Sequence, residues 1–234
     1  MNKKTLRSIY IFSALVLGIV FVVKFGAPSL LKFYVQSGIG DCRNIPILCM
    51  NPVTCSADLQ TGDNLPDSIP YISDSLTASV PKGFAVVEEI LSKPFYKKHK
   101  RMDKGNIVYL LRKDKGFFVA LFPQVKAGND YEFIKSVMYA KITDIKNITD
   151  TFFVIMKGVF IPDLGDQNNV KMCSLELEGM KGFINYNLGK RENLFDCNFI
   201  GRDGSFYKVY IKDRERKLDL AKVSELIVSL RAKN

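Results

Sequence analysis

The densest group of positive charges in the sequence lies between residues 93 and 104. Lysine and arginine side chains this close together bind phosphates and the headgroups of anionic lipids. The same composition is also typical of a charged surface segment that keeps a strand edge from aggregating. This basic cluster is therefore a candidate site for an anionic ligand, with a solvated edge as the alternative. Its central members are Lys97, Lys98, Lys100 and Arg101.

The sequence contains few candidates for catalytic residues. His99 is the only histidine of the 234 residues, and it lies inside the basic cluster. A Ser–His–Asp or Cys–His arrangement could use no other histidine, and the neighbouring lysines disfavour its charged form. The sequence also lacks the glycine-rich phosphate loops and the H-E-x-x-H metal motif. It therefore predicts no catalytic, cofactor-binding or metal-binding residues; an enzyme whose site is built without histidine is the alternative.

The five cysteines of the chain suggest disulfide bonds rather than a metal site. Zinc-binding cysteines usually form C-x-x-C pairs and are often joined by histidine, and neither feature is present. We expect one disulfide in the first group of cysteines, joining Cys42 to Cys49 or to Cys55. Cys173 and Cys197 lie among alternating apolar residues, and we expect both to be small core side chains. Disulfides persist in oxidising compartments.

An uncharged run of sixteen residues extends from Ser8 to Val23, between Arg7 and Lys24. At a rise of 1.5 Å per residue its helix would span about 24 Å, close to the ~30 Å hydrocarbon core of a bilayer. The run has no polar face, and no small-residue cleavage site follows it. It predicts a retained single-pass transmembrane helix; a cleaved signal peptide and a core helix of a soluble domain are the alternatives.

The charges that flank this run predict its orientation. Lys3, Lys4 and Arg7 precede it, so the positive-inside rule places the N-terminus in the cytoplasm and the rest of the chain outside it, in the periplasm of a bacterium. The lipid bilayer is then one expected partner, through the N-terminal helix, and a protein is the other. The net charge of +10 also suits anionic ligands. Scattered surface lysine explains the charge equally well, and we do not expect nucleic acid.

The composition divides the chain into three regions. Residues 1–36 are predicted to be the membrane anchor with an interfacial segment, 37–79 a linker with cysteine and proline, and 80–234 a globular domain. A helix should begin at Asn129, which is a good N-cap. The stretch 151–160 is ambiguous between helix and strand. The remaining predicted elements are strands at 84–91, 106–112, 117–122, 170–178, 182–188, 194–200 and 205–212, and a helix at 217–230.

Part of this pattern resembles a known family. The V-P-K-G-F start at Val80, the strand meander 182–212 and the final helix with its I-x-S-L-R ending are similar to the PsbP-like superfamily, over about residues 80–232. The resemblance implies an α+β fold, in which helices flank an antiparallel β-sheet as an α/β/α sandwich, and a non-catalytic binding or assembly role. With the N-terminal helix, it predicts a single-pass membrane-anchored, extracytoplasmic binding or assembly domain.

Overall fold

The structure is a computed structural model that describes Gly26, Ser29, Leu30, Phe33, Cys42 and residues 45–55, 67–88 and 105–233. The chain divides into two compact units. The small unit combines the described residues up to Met50 with Ala140–Phe160, and the large unit combines Asn51–Tyr139 with the chain from Ile161 onward.

Ten strands occur among the described residues, and all of them belong to the large unit. Seven form one sheet, and the other three form a second, smaller sheet. The strands are β1 (Val53–Thr54), β2 (Ser68–Ile72), β3 (Leu76–Pro81), β4 (Phe84–Glu88), β5 (Asn106–Lys113), β6 (Lys171–Leu177), β7 (Met180–Leu188), β8 (Asn193–Ile200), β9 (Phe206–Asp213) and β10 (Arg231–Ala232). The large sheet has the order β1-β6-β7-β8-β9-β5-β4, and the small sheet has the order β10-β3-β2.

Four α-helices are described: α1 (Phe117–Leu121), α2 (Asp130–Tyr139), α3 (Ile148–Phe160) and α4 (Leu220–Ser229). The side chain of Asn129 accepts a hydrogen bond from the backbone N–H of Glu132 at 3.0 Å, which confirms the predicted N-cap of α2. Asp219 caps α4 in the same way, through the N–H of Lys222 at 2.9 Å. Helix α3 belongs to the small unit, and the others belong to the large unit.

Strand β8, at the centre of the large sheet, is buried along its whole length, so its side chains are covered on both faces of the sheet. Phe195, Cys197 and Phe199 of β8 point to one face, where Val223 and Leu226 of α4 and the small sheet complete a single core. Helix α2 contacts β7 and β8. Phe133 of α2 stacks on Phe118 of α1 at 5.2 Å between ring centroids, and Phe118 meets Phe206 of β9 edge-on at 4.9 Å. The meander β6–β9 and helix α4 are close to the predicted positions.

The predicted fold class is wrong. The large sheet is mixed rather than antiparallel, because β1 pairs with β6 and β4 pairs with β5 in parallel. The three-stranded sheet was also not predicted. Within the described residues no helix is long and apolar enough to cross a membrane. The predicted transmembrane helix at Ser8–Val23 itself lies outside the described residues.

One local prediction was also overturned. The predicted strand 117–122 is helix α1, which begins because the Asp130 carboxylate accepts the backbone N–H groups of Phe118 at 3.0 Å and Val119 at 3.1 Å. A carboxylate at these free N–H groups stabilises a helix start. Strands β1, β2 and most of β3 lie within 37–79, so the stretch with linker composition supplies strands to both sheets.

Two disulfides are present, and Cys197 is a buried free thiol. Cys42 pairs with Cys49 in the small unit, which is one of the two expected pairings. Cys173 is a buried core side chain, as expected, but it also pairs with Cys55, which was not expected. This second bond lies beside the parallel pairing of Val53 with Cys173 and fixes the short strand β1 to β6.

The two disulfides should differ in their contribution to stability. Cys55–Cys173 joins residues 118 apart and Cys42–Cys49 residues 7 apart. From loop-closure entropy we expect the loss of the long-range bond to lower the free energy of unfolding by about 5 kcal/mol and the loss of the short-range bond by about 2 kcal/mol. Urea unfolding of Cys55→Ser/Cys173→Ser and Cys42→Ser/Cys49→Ser, followed by circular dichroism, measures both. Equal losses would contradict the loop-length argument.

Candidate functional site

The candidate binding residues from the sequence are the central members of the basic cluster. Lys97, Lys98, Lys100 and Arg101 lie outside the described residues. Among the residues that the structure describes, no group of three or more His, Cys, Asp or Glu side chains could hold a metal ion. Three other arrangements in the described residues gather polar groups: a buried polar network, a buried lysine and a surface groove.

The buried network lies on the face of the large sheet that α2 contacts. Lys208 Nζ of β9 lies 2.6 Å from Asp196 Oδ1 of β8, and both side chains are buried. Asn185 and Asn198 each donate a side-chain N–H to Asp196 Oδ2, at 3.1 and 2.8 Å, and Lys208 donates to Asn198 Oδ1 at 3.0 Å. Most donors and acceptors of the network bind one another, which gives it a structural role, and Asn185 Oδ1 is buried without a hydrogen-bond partner among the described residues.

The thiol next to this network is unsuited to chemistry. Cys197 points to the opposite face of β8 and is fully buried. Burial raises the pKa of the Cys197 thiol well above its usual value, and the nearby charge of Asp196 raises it further. A protonated, inaccessible thiol is a poor nucleophile.

Breaking the ion pair should be more damaging than removing it completely. Asp196→Leu or Lys208→Met alone leaves a buried charge without its partner, so each should lower the free energy of unfolding by about 3–5 kcal/mol. The double variant should lose less than either single variant, because it leaves no buried charge without a partner. Urea unfolding of the four proteins measures the coupling. Additive losses would show that the two charges do not act as a pair.

The buried lysine belongs to α3 in the small unit. Lys157 is fully buried, and its Nζ donates to the carbonyl oxygens of Met50 at 2.7 Å and Ala140 at 2.9 Å. Burial and, to a smaller extent, the charge of Lys141 together lower the pKa of Lys157 from 10.5 to about 7. The amine joins three segments of the chain, and its two acceptors are neutral carbonyls. The two neutral carbonyls offset only part of the cost of burying a charged amine.

The depressed pKa predicts that the small unit is more stable in mild alkali. Below pH 7 the amine is charged in both states, and the full desolvation cost opposes folding. Between the folded pKa of about 7 and the unfolded value of 10.5 only the unfolded state keeps the proton, so stability rises with pH across this window. The limiting slope is about 1.4 kcal/mol per pH unit.

Amide hydrogen exchange of α3, corrected for intrinsic rates, measures this dependence. Lys157→Met should abolish the rise, because methionine fills the same volume without a titrating group. Lys146→Met, which changes an exposed lysine just before α3, should keep it. A rise of equal size in Lys157→Met would assign the effect to another group.

The third arrangement is a surface groove of about 220 Å³ at one end of the large sheet. Three chain segments meet there: the β6–β7 turn, the β8–β9 turn and the end of the chain after α4. The lining residues combine charged and apolar side chains. They are Glu178, Met180, Gly201, Arg202, Asp203, Tyr207, Leu230, Arg231 and Ala232.

A glycine positions the first arginine of the groove. Gly179 has a φ of +83°, and a Cβ on it would lie 2.4 Å from Arg202 Nε. The absence of a side chain therefore allows Arg202 to lie across the β6–β7 turn, where its Nε donates to the carbonyl oxygen of Glu178 at 2.6 Å. This bond fixes the guanidinium at the groove while its other N–H groups remain available.

The second arginine follows α4 directly. Arg231 Nη1 donates to the carbonyl oxygens of Val228 and, at 2.8 Å, Leu230. A cation at the C-terminal end of a helix is favourable. Neither Arg202 nor Arg231 has a carboxylate within ion-pair distance among the described residues. Both guanidinium groups thus have N–H donors left for an anion.

Tyr207 and Asp203 complete the polar part of the groove. Burial raises the pKa of Tyr207, and the nearby Asp203 carboxylate raises it further, so the phenol is neutral at physiological pH. Asp203 accepts the backbone N–H of Ser205 at 3.0 Å, which shapes the β8–β9 turn. Met180 and Leu230, which are both almost fully buried in the core, line the apolar part of the groove. Two guanidinium groups next to apolar side chains can hold an anion with an apolar body.

Sequence reasoning did not find this groove, because its residues come from three distant segments. Arg202 lies in the turn sequence G-R-D-G, which indicates only a hairpin. The feature of the sequence that predicted an anion-binding site was the basic cluster at 93–104, which is a different segment.

Comparison with known proteins adds no assignment: no family model, no curated protein and no solved structure matches the chain. The resemblance to the PsbP-like superfamily therefore stays a prediction.

Proposed function

We propose that the large unit is a non-catalytic binding module of an oxidising, extracytoplasmic compartment, and that it holds an anionic ligand with an apolar body in the groove. The observation that carries this proposal is the pair of arginines, Arg202 and Arg231, which line one groove without a carboxylate partner in the described part of the chain. Guanidinium groups are less strongly hydrated than ammonium groups and match carboxylate and phosphate geometry.

The apolar lining narrows the class of ligand. Met180, Leu230 and Ala232 line the groove beside the arginines, and a small inorganic anion would make no contact with this apolar lining. Burial of ligand carbon on that surface adds roughly 25 cal/mol per Å². A carboxylate or phosphate attached to a hydrocarbon portion therefore suits the groove better than a bare ion.

Two further observations support the compartment and the role. The disulfide Cys55–Cys173 holds β1 against β6, and bonds of this kind persist outside reducing compartments. The resemblance to the PsbP-like superfamily implies binding or assembly rather than catalysis.

The proposal predicts a selective response to amphipathic anions. Octanoate, used as the probe, should shift backbone NMR signals of the β6–β7 and β8–β9 turns at lower concentration than acetate, because only octanoate contacts Met180 and Leu230. Arg202→Gln and Arg231→Gln should each weaken octanoate binding about tenfold, since each removes one charged hydrogen-bond donor group.

Arg191→Gln is the matched control. Arg191 is an exposed arginine in the β7–β8 turn, at the opposite end of the same strands. Its substitution by glutamine changes the net charge by the same amount as each groove variant. It should leave octanoate binding unchanged. Equal weakening by all three variants would show that only the overall charge matters, and an absence of shifts at both turns would refute the groove as the site.

A further inference from the structure

Helix α3 buries a charged residue and exposes apolar residues, which is the opposite of a typical surface helix. Between Thr151 and Phe160 the only charged residue is Lys157, and this residue points inward and is fully buried. A surface helix of a soluble protein normally buries an apolar stripe and exposes its charges. In α3 the amine is held inside by the carbonyls of Met50 and Ala140.

The outward face of α3 is an apolar stripe. Ile148, Ile155 and Val159 are 48, 51 and 62% exposed, and their spacing of seven and four residues places them on one side of the helix. Phe152 falls on the same side and is half-buried. Exposed apolar residues are common singly, but a continuous stripe of this kind marks an interaction surface.

The surroundings of α3 indicate lipid as the occupant. Leu30 and Phe33, which belong to the same small unit, are 65 and 68% exposed. The chain before Met50 also contains the uncharged run Ser8–Val23, whose composition favours the hydrocarbon core of a bilayer. At 1.5 Å per residue, the 13 residues of α3 extend about 20 Å, well short of the ~30 Å hydrocarbon core, so this helix can lie along a bilayer but cannot cross it.

The charges around α3 favour apolar over electrostatic attachment. Lys141 is paired with Asp144 at 2.9 Å, and Asp150 near the start of the helix accepts the backbone N–H of Lys146 at 2.8 Å. These groups include both signs, and Lys157 is inside. An electrostatic site for anionic headgroups would need an excess of exposed cations.

We propose that the exposed face of α3 inserts into the interfacial region of a lipid bilayer, with the helix axis in the membrane plane, and that zwitterionic lipid is sufficient. The stripe Ile148, Phe152, Ile155 and Val159 contacts acyl chains, while the inward face holds the small unit together through Lys157.

A fluorescence experiment with the full chain tests this placement. The chain has no tryptophan, so Val159→Trp introduces a single reporter on the stripe. Ile72→Trp, at a position on β2 of the large unit that is 66% exposed, is the matched control. In phosphatidylcholine vesicles we expect a blue-shifted emission for Val159→Trp and strong quenching by brominated acyl chains. The control should show neither effect.

A second pair of variants tests the contribution of the stripe to binding. Ile155→Asp combined with Val159→Asp should reduce partitioning into the same vesicles by about tenfold or more, whereas Ile72→Asp should not. Three results would overturn the proposal: no vesicle association of the full chain, Val159→Trp emission that brominated lipid does not quench, or binding only to anionic vesicles that is lost in salt. Concentration-dependent dimerisation that the double variant abolishes, without vesicle binding, would identify a second copy of the chain as the occupant instead.

Discussion

The ion pair between Asp196 and Lys208 determines how the centre of the large sheet is aligned. These residues lie on adjacent strands, both are buried, and two asparagine amides complete the hydrogen bonding of the carboxylate. A shift of β9 by one residue against β8 would turn Lys208 toward the opposite face, where Phe195 and Val209 belong to an apolar core. The cost of an unpaired buried charge therefore excludes the shifted register. The groove depends on this alignment, because the β8–β9 turn between the paired strands carries Arg202 and leads into Tyr207.

The two units differ in how far they remove cationic side chains from solvent. In the large unit, Arg202 and Arg231 keep their charged groups at a groove and use only part of their hydrogen-bonding capacity on backbone carbonyls. In the small unit, Lys157 is withdrawn from solvent, and the cost appears as a pKa lowered to about 7. The first arrangement leaves guanidinium N–H donors at the groove for a ligand. The second leaves the outward face of α3 after Asp150 without charge, which suits contact with an apolar phase.

Local patterns predicted the elements whose causes are local. The strands of the β6–β9 meander follow from alternating apolar residues and nearby turns, and α2 follows from its cap at Asn129. Features that depend on distant residues were missed. Helix α1 begins because of a carboxylate 12 residues from Phe118, and Cys55 meets a cysteine 118 positions away. The parallel pairs need connections that no turn signal reveals, so the fold class was predicted wrongly. The groove was missed because it assembles three separate segments.

The edge of the large sheet shows why an oxidised state matters to this fold. Strand β1 has two residues, too few for its parallel pairing with β6 to be stable by hydrogen bonding alone. The disulfide of Cys55 with Cys173 joins the two strands where they pair, and the N–H of Cys55 donates to the carbonyl of Ser174 at 3.2 Å. Without this bond, β1 would separate easily, and the outer edge of the seven-residue strand β6 would lack its partner. A free strand edge promotes aggregation. The covalent bond therefore replaces the pairing energy that so short an edge strand cannot provide.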